Sequence, residues 1–178
     1  MDKLTINRIR YKNFKGLADY TLEPNGKDIS VFGQNATGKT TLIDGVSYLL
    51  FGKDSYGRAD FQLKPVDKDG QEIHNLETEV EGVFDVNNKT ITLRKRFQEK
   101  YTKKRGEPRQ TFTGHTTDYF IDDVPAKKKE YDIKISEIID VNAFKLVTNP
   151  LEFNNLHWTG RRQILLEMCG DVTDLDVI

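Results

Sequence analysis

Apolar and polar residues alternate along the first stretch of the chain. Leu4, Ile6, Ile9 and Tyr11 mark every second position, with one slip near Arg8. A period of two predicts a strand over residues 1–14. Asn13-Phe14-Lys15-Gly16 reads as a turn, and residues 17–22 as a returning strand, a hairpin that sets Lys15 near one end of a sheet. After the turn signal Pro24-Asn25-Gly26 comes a short β-rich segment, 28–32. The period then changes. Leu42, Ile43, Val46, Leu49 and Leu50 recur at helical spacing, and Gly52 is placed to end that helix.

Further on, residues 53–60 read as a loop and 61–66 as a short strand, closed by the turn Asp67-Lys68-Asp69-Gly70. Alternation returns over 77–86, turns at Asn87-Asn88 and runs back over 89–101, an antiparallel pair. A strand over 111–121 follows, then a turn at Asp122-Asp123. Those adjacent carboxylates are assigned to turn chemistry rather than catalysis. Residues 126–139 predict a helix with Tyr131, Ile135, Ile138 and Ile139 on one face, leaving Lys127, Lys128 and Lys129 solvated. Trp158 opens a last helix that Gly170 ends.

The candidate chemistry lies where the period switches from strand to helix. Gly33-Gln34-Asn35-Ala36-Thr37-Gly38-Lys39-Thr40 has the spacing G-x-x-x-x-G-K-[ST] of a phosphate-binding loop. Glycines let the backbone turn its N–H groups toward phosphate oxygens. Lys39 would reach the β- and γ-phosphates, the Thr40 hydroxyl would sit on Mg²⁺, and Thr41 continues the first helical turn. The helix dipole adds positive potential at the same point. Strand, loop and helix in this order are the context the motif needs. The expected ligands are ATP and Mg²⁺.

Composition narrows the classes. The 178 residues suffice for one domain, and a charged fraction of 31% implies a polar surface. The net charge of −1 gives no global pull toward nucleic acid. Locally the picture differs: residues 94–109 hold eight basic and two acidic side chains. Arg94, Arg96, Lys103, Lys104, Arg105 and Arg109 are therefore candidate contacts to a phosphate backbone. A solvated hairpin guarded by lysines against edge pairing explains the same run equally well. Tyr101 and Phe112 have rings that stack on bases, although strand aromatics usually belong to a core. A single cysteine, Cys169, excludes an internal disulfide and suits a reducing cytosol, so a cytoplasmic location is expected. No apolar run reaches membrane-spanning length. His74, His115 and His157 lack ligand-spaced partners.

Two motifs together resemble a known family. The opening Leu4-x-Ile6 to Asn13-Phe14-Lys15-Gly16, followed by Gly33-Gln34-Asn35 and Gly38-Lys39-Thr40-Thr41-Leu42-Ile43-Asp44-Gly45, is similar to the N-terminal ATPase lobe of SMC-like proteins. The nearest are the SbcC/Rad-fifty double-strand-break repair ATPases, with RecF-like proteins close behind; a phage or prophage version is compatible. The resemblance implies an α/β fold: half of an ABC-type P-loop head (lobe I) joined to an antiparallel β-subdomain. It implies that Lys15 and the Asn35 side chain approach the phosphates, and that the loop before the β-subdomain touches the adenine. Where the family has a glutamine on Mg²⁺ and the attacking water, this chain has Thr148-Asn149-Pro150, and Asn149 carries the same amide one methylene shorter. Implied partners are a C-terminal ATPase lobe, a second head, DNA and an SbcD/Mre-type nuclease.

Two elements of such a head have no counterpart here. No run of four apolar residues ends in Asp-Glu, and no Gly-Gly pair exists for a Ser-Gly-Gly signature. In the family both lie beyond a coiled coil, so residues 1–178 are expected to be the N-terminal half of a head with negligible turnover by itself. Two other classes stay open: a P-loop phosphotransferase using Asp44 or Asp85, and a DNA-binding module whose nucleotide site is vestigial.

Overall fold

The computed structural model describes residues 4–35, 37–103, 111–139, 144, 146, 148 and 152–169. The chain divides into two compact units, Met1–Asp140 and Val141–Ile178. In the first, six strands form one sheet: β1 (Leu4–Phe14), β2 (Leu17–Leu22), β3 (Thr78–Val86), β4 (Lys89–Thr102), β5 (Thr111–Ile121) and β6 (Val124–Ala126). Their order is β2-β1-β3-β4-β5-β6, with every neighbouring pair antiparallel. Helix α1 (Lys39–Phe51) packs on β1, β3 and β4, and α2 (Lys128–Ile138) on β5. The second unit contains α3 (Glu152–Asn155) and α4 (Trp158–Cys169).

Alternation decides the sheet's two faces. Ile9, Tyr11, Val80, Phe84, Ile91 and Leu93 are buried against the helices. The slip near Arg8 is real: the β1–β3 register shifts between Ile6 and Arg8. The displaced backbone is used, since the carbonyls of Ile6 and Asn7 accept from Gly26 and Asn25 at 3.0 and 3.1 Å. Such a bulge leaves one residue outside the ladder. On the other face, charges pair across strands, Arg8 with Glu81 and Arg10 with Asp19.

Helix α1 lies close to the sheet because two positions lack side chains. A Cβ on Gly45 would fall 2.3 Å from Tyr11 Cε1, and one on Gly82 2.7 Å from Leu49 Cδ2. Tyr11 and Tyr131 reach the helix with their hydroxyls, donating to Leu42 O and Leu49 O at 2.9 and 3.0 Å.

Several expected elements differ. The sheet is continuous, so the hairpin before the phosphate loop and the later antiparallel strands belong to one layer rather than to a P-loop sheet with a separate subdomain. Residues 28–32 form no strand; Ile29, Val31 and Phe32 are exposed. A strand exists only with a neighbour to complete its hydrogen bonds, and neither sheet edge, β2 nor β6, pairs with this segment. Residues 61–66 hold only an isolated bridge, Val66 to Glu72, closing the predicted turn at 67–70. Residues 124–126 are a strand although the predicted helix begins at Ala126, so α2 starts at Lys128. Ile43 is solvent-facing, while Tyr48 takes a buried place on α1.

Candidate functional site

The phosphate loop meets α1 through Gly38, which is left-handed at φ 91°. A glycine adopts that conformation without a Cβ penalty. Gly33 is also constrained, because a Cβ there would lie 2.7 Å from the Thr37 hydroxyl. That hydroxyl donates to Gln34 O at 2.8 Å. Lys39 folds back over the loop, its ammonium donating to the carbonyls of Gly33 and Gln34 at 2.8 and 2.6 Å. The first turn of α1 has neither a side-chain cap nor an acidic residue. Helix N-terminal N–H groups left without internal partners form an anion site. Thr40 is exposed in that turn, and Asn35 is exposed in the loop.

Lys15 stands at the β1–β2 turn in a left-handed conformation, φ 51°, uncommon for a residue with a side chain. Its N–H donates to Leu63 O at 2.8 Å. Its ammonium donates to Asp44 Oδ2 at 2.5 Å and lies 5.0 Å from the Phe61 ring centre. Asp44 is buried on α1, and its other oxygen accepts from the Ser55 N–H and hydroxyl at 3.0 and 2.6 Å. Leu17, next along β2, comes within 3.8 Å of where a Gly38 Cβ would stand. Chain folding thus joins the turn carrying Lys15 to the base of the phosphate loop.

Beside Lys15 opens a cavity of about 710 Å³ lined by residues that include Gly16, Arg58, Asp60, Phe61 and Lys64. Sequence spacing did not reveal this cavity, because its walls come from a turn and an irregular loop. One signal was present: Asp54, Ser55, Gly57 and Arg58 sit in a polar, glycine-containing stretch. Buried Asp54 organises that loop, accepting from the Tyr56 and Arg58 N–H groups and from Arg58 Nε at 2.6 Å. Burial alone would raise the Asp54 carboxyl, but these donors outweigh it and hold the group below the usual carboxylate range.

The same loop is fastened to β4 by a second buried acid. Glu99 accepts from Lys64 Nζ at 2.5 Å, the Tyr101 hydroxyl at 2.6 Å and the Asn75 N–H at 3.0 Å, with His74 Nδ1 at 2.8 Å. Desolvation opposes its charge, yet this ring of donors keeps it far below the ordinary range.

The expected nucleic-acid contacts divide. Arg94 pairs with Asp123 at 3.2 Å and lies 4.3 Å from the Phe120 ring centre. Arg96 pairs with Asp118 at 3.0 Å and shares the same ring. Both are occupied within the sheet. Lys103 is exposed at the end of β4. Ala36, Lys104, Arg105, Arg109 and Asn149 lie outside the described residues. Of the alternative acids, Asp85 accepts from Asn7 and Thr90, at 2.7 and 2.6 Å.

A family model described as an AAA domain, AAA_23, matches residues 8–158. The chain belongs to the AAA_23 family. No curated protein matches this AAA_23 chain in sequence. Two solved structures of the recombination mediator protein RecF in the RecFOR pathway are similar to it. RecF-ATP shows 14% identity and a TM-score of 0.45, covering 70% of this chain and 28% of RecF. RecF-ATPrS shows 14% identity and a TM-score of 0.46, covering 78% and 30%. The AAA_23 chain therefore spans less than a third of those RecF chains.

Proposed function

We propose that this AAA_23 domain binds ATP with Mg²⁺ and acts as the N-terminal lobe of an SbcC/Rad-fifty- or RecF-like ATPase in DNA repair or recombination. The observation that carries the reading is the uncapped N-terminus of α1 beneath the Gly33–Thr40 loop, with Lys39 folded onto the loop carbonyls and Leu17, beside the Lys15 turn, near Gly38. The β- and γ-phosphates take the place of the loop carbonyls as partner of Lys39, since a charged acceptor binds an ammonium more strongly than a neutral one. Lys15 adds a second cation, oriented by Asp44. The cavity beside Lys15, with Phe61 and Arg58 in its wall, suits the base. No cluster of three acidic, His or Cys side chains occurs among the described residues. Among the described residues the loop offers Mg²⁺ the exposed Thr40 hydroxyl, with phosphate oxygens and water to complete the shell. That set fits an ion that keeps much of its water. When bound, Mg²⁺ neutralises phosphate charge.

On this reading a C-terminal lobe, on the same or another chain, supplies the general base and the signature. Two such heads close on ATP and govern the access of DNA to a nuclease partner. Titration calorimetry with Mg-ATP tests the first step: binding is expected, and Lys39→Ala should weaken it by about tenfold or more. Unchanged affinity in Lys39→Ala would overturn the reading. Turnover should appear only after the complementary lobe is added; Lys39-dependent turnover by these 178 residues alone would point instead to a complete phosphotransferase site.

A further inference from the structure

One wall of the cavity beside Lys15 is a small hairpin that the chain forms between Lys64 and Asn75. The Val66–Glu72 bridge closes it, with the Ile73 N–H donating to Pro65 O at 3.1 Å and the Asp67 N–H to Gln71 O at 2.9 Å. Pro65, Val66 and Ile73 line the cavity. Packing does little to place this hairpin, because residues 66–75 are exposed throughout. Its stems are tied instead. Leu63 O accepts from the Lys15 N–H at 2.8 Å, and Glu77 O from Asn13 Nδ2 at 3.0 Å. Both ties lead to the β1–β2 turn that carries Lys15.

A single carboxylate on β4 then clips the two ends of the hairpin together. Glu99 Oε1 accepts from Lys64 Nζ at 2.5 Å and meets His74 Nδ1 at 2.8 Å. Its Oε2 accepts from the Asn75 N–H at 3.0 Å and from the Tyr101 hydroxyl at 2.6 Å. The Lys64 and Glu99 side chains are 0% and 3% exposed. Glu72 adds a longer contact to His115, at 3.9 Å. Stability alone does not call for a buried ion pair, since an apolar pair of similar volume usually serves as well. We propose that Glu99 is a positioning residue for the nucleoside end of the ligand: by clipping both ends of the hairpin to β4, it fixes the cavity wall relative to Lys15. This rests on the nucleotide reading above and divides it in two. The phosphate loop holds the triphosphate without help from the hairpin. The hairpin supplies the preference for a nucleoside over a bare chain of phosphates, because a wall ordered beforehand removes that cost from binding.

Titration calorimetry on the 178-residue chain tests this with two probes, Mg-ATP and Mg-tripolyphosphate, which share phosphates and differ in the nucleoside. Lys39→Ala should weaken both. Glu99→Gln should weaken Mg-ATP about three- to tenfold and leave Mg-tripolyphosphate unchanged. Tyr101→Phe removes one donor to Glu99, keeps the ring, and should give a smaller loss of the same kind. Glu99→Gln leaves the buried Lys64 ammonium without a charged partner, so a paired change, Lys64→Met with Glu99→Met, guards against misfolding. That variant should melt like the parent and still lose affinity for Mg-ATP alone. Circular dichroism of each variant verifies the fold. If both probes weaken together in the folded variants, or neither does, the junction only braces the loop; the positioning role is overturned and the nucleotide reading stands. If the parent binds neither probe, the nucleotide reading falls and this inference with it.

Discussion

At the scale of single residues, this domain places buried cations where a chain end or a loop needs closing. Lys64 lies under the cavity loop and is answered by Glu99. Lys95 has no such acid. Its amine is buried, donates to Tyr48 O at 2.9 Å, and lies 5.1–5.6 Å from the ring centres of Tyr48, Tyr119 and Tyr131. Tyr48 O also accepts from Gly52, so Lys95 helps terminate α1, which has no basic residue in its own last turn. Burial lowers the Lys95 amine from 10.5 to about 7, with Asp132 pulling it back up and Lys128 adding to the fall. Between those two values the unfolded chain binds one more proton than the folded one. Stability therefore rises with pH through that window, and the burial penalty is full below pH 7. Lys95→Met should flatten this dependence. Thermal melts at pH 6 and pH 9 should show a smaller gap for the variant than for the parent; an unchanged gap would mean that Lys95 is not the group responsible.

At the scale of elements, the pairing of α1 with the sheet is the connection that matters most for the candidate site. The helix carries the phosphate loop at one end and Lys95's carbonyl partner at the other. Its spacing from β1 is set by Gly45 under Tyr11. Gly45→Ala should force Tyr11 to move and cost about 1–3 kcal/mol, as overpacking does, although alanine is the better helix former. Urea unfolding measures the first quantity, and a gain in stability would mean that the helix has room to lift. The strands and helices were legible wherever a periodic run was long: β1 with its slip, the β3–β4 pair, β5, α1 and α2. Three short pieces were not. β6 contains Pro125, which argues against a strand, yet it is an edge strand bonded only to β5, where a missing donor is tolerated. The 61–66 stretch was apolar enough for a strand but follows the cavity wall. Residues 28–32 have strand composition and no partner strand, a tertiary fact that no local pattern encodes.

At the scale of the whole molecule, the phosphate-loop motif is readable from spacing because its residues are sequential, whereas the surroundings proposed for it are readable only in part. Lys15 is singled out in the sequence only by the family resemblance at Asn13-Phe14; its partner Asp44, the Ser55 contacts and the Arg58–Phe61 wall come together only in three dimensions. The exposed row Ile29, Val31 and Phe32 extends the same lesson to what the chain presents outward. It leads directly into the phosphate loop, and Phe32 is 90% exposed. Contiguous exposed apolar residues on a strand-forming segment mark an interaction surface or an association hazard. On the proposed reading, this row is where a complementary lobe adds its strands. Two consequences then separate. Phe32→Ser should leave the melting temperature of the isolated chain almost unchanged, within about 0.5 kcal/mol, because the ring packs on little. The same change should reduce concentration-dependent self-association in sedimentation velocity and weaken capture of the complementary lobe. A clear loss of stability would show instead that Phe32 packs within its own domain in solution, and the row would no longer serve as the site of strand addition.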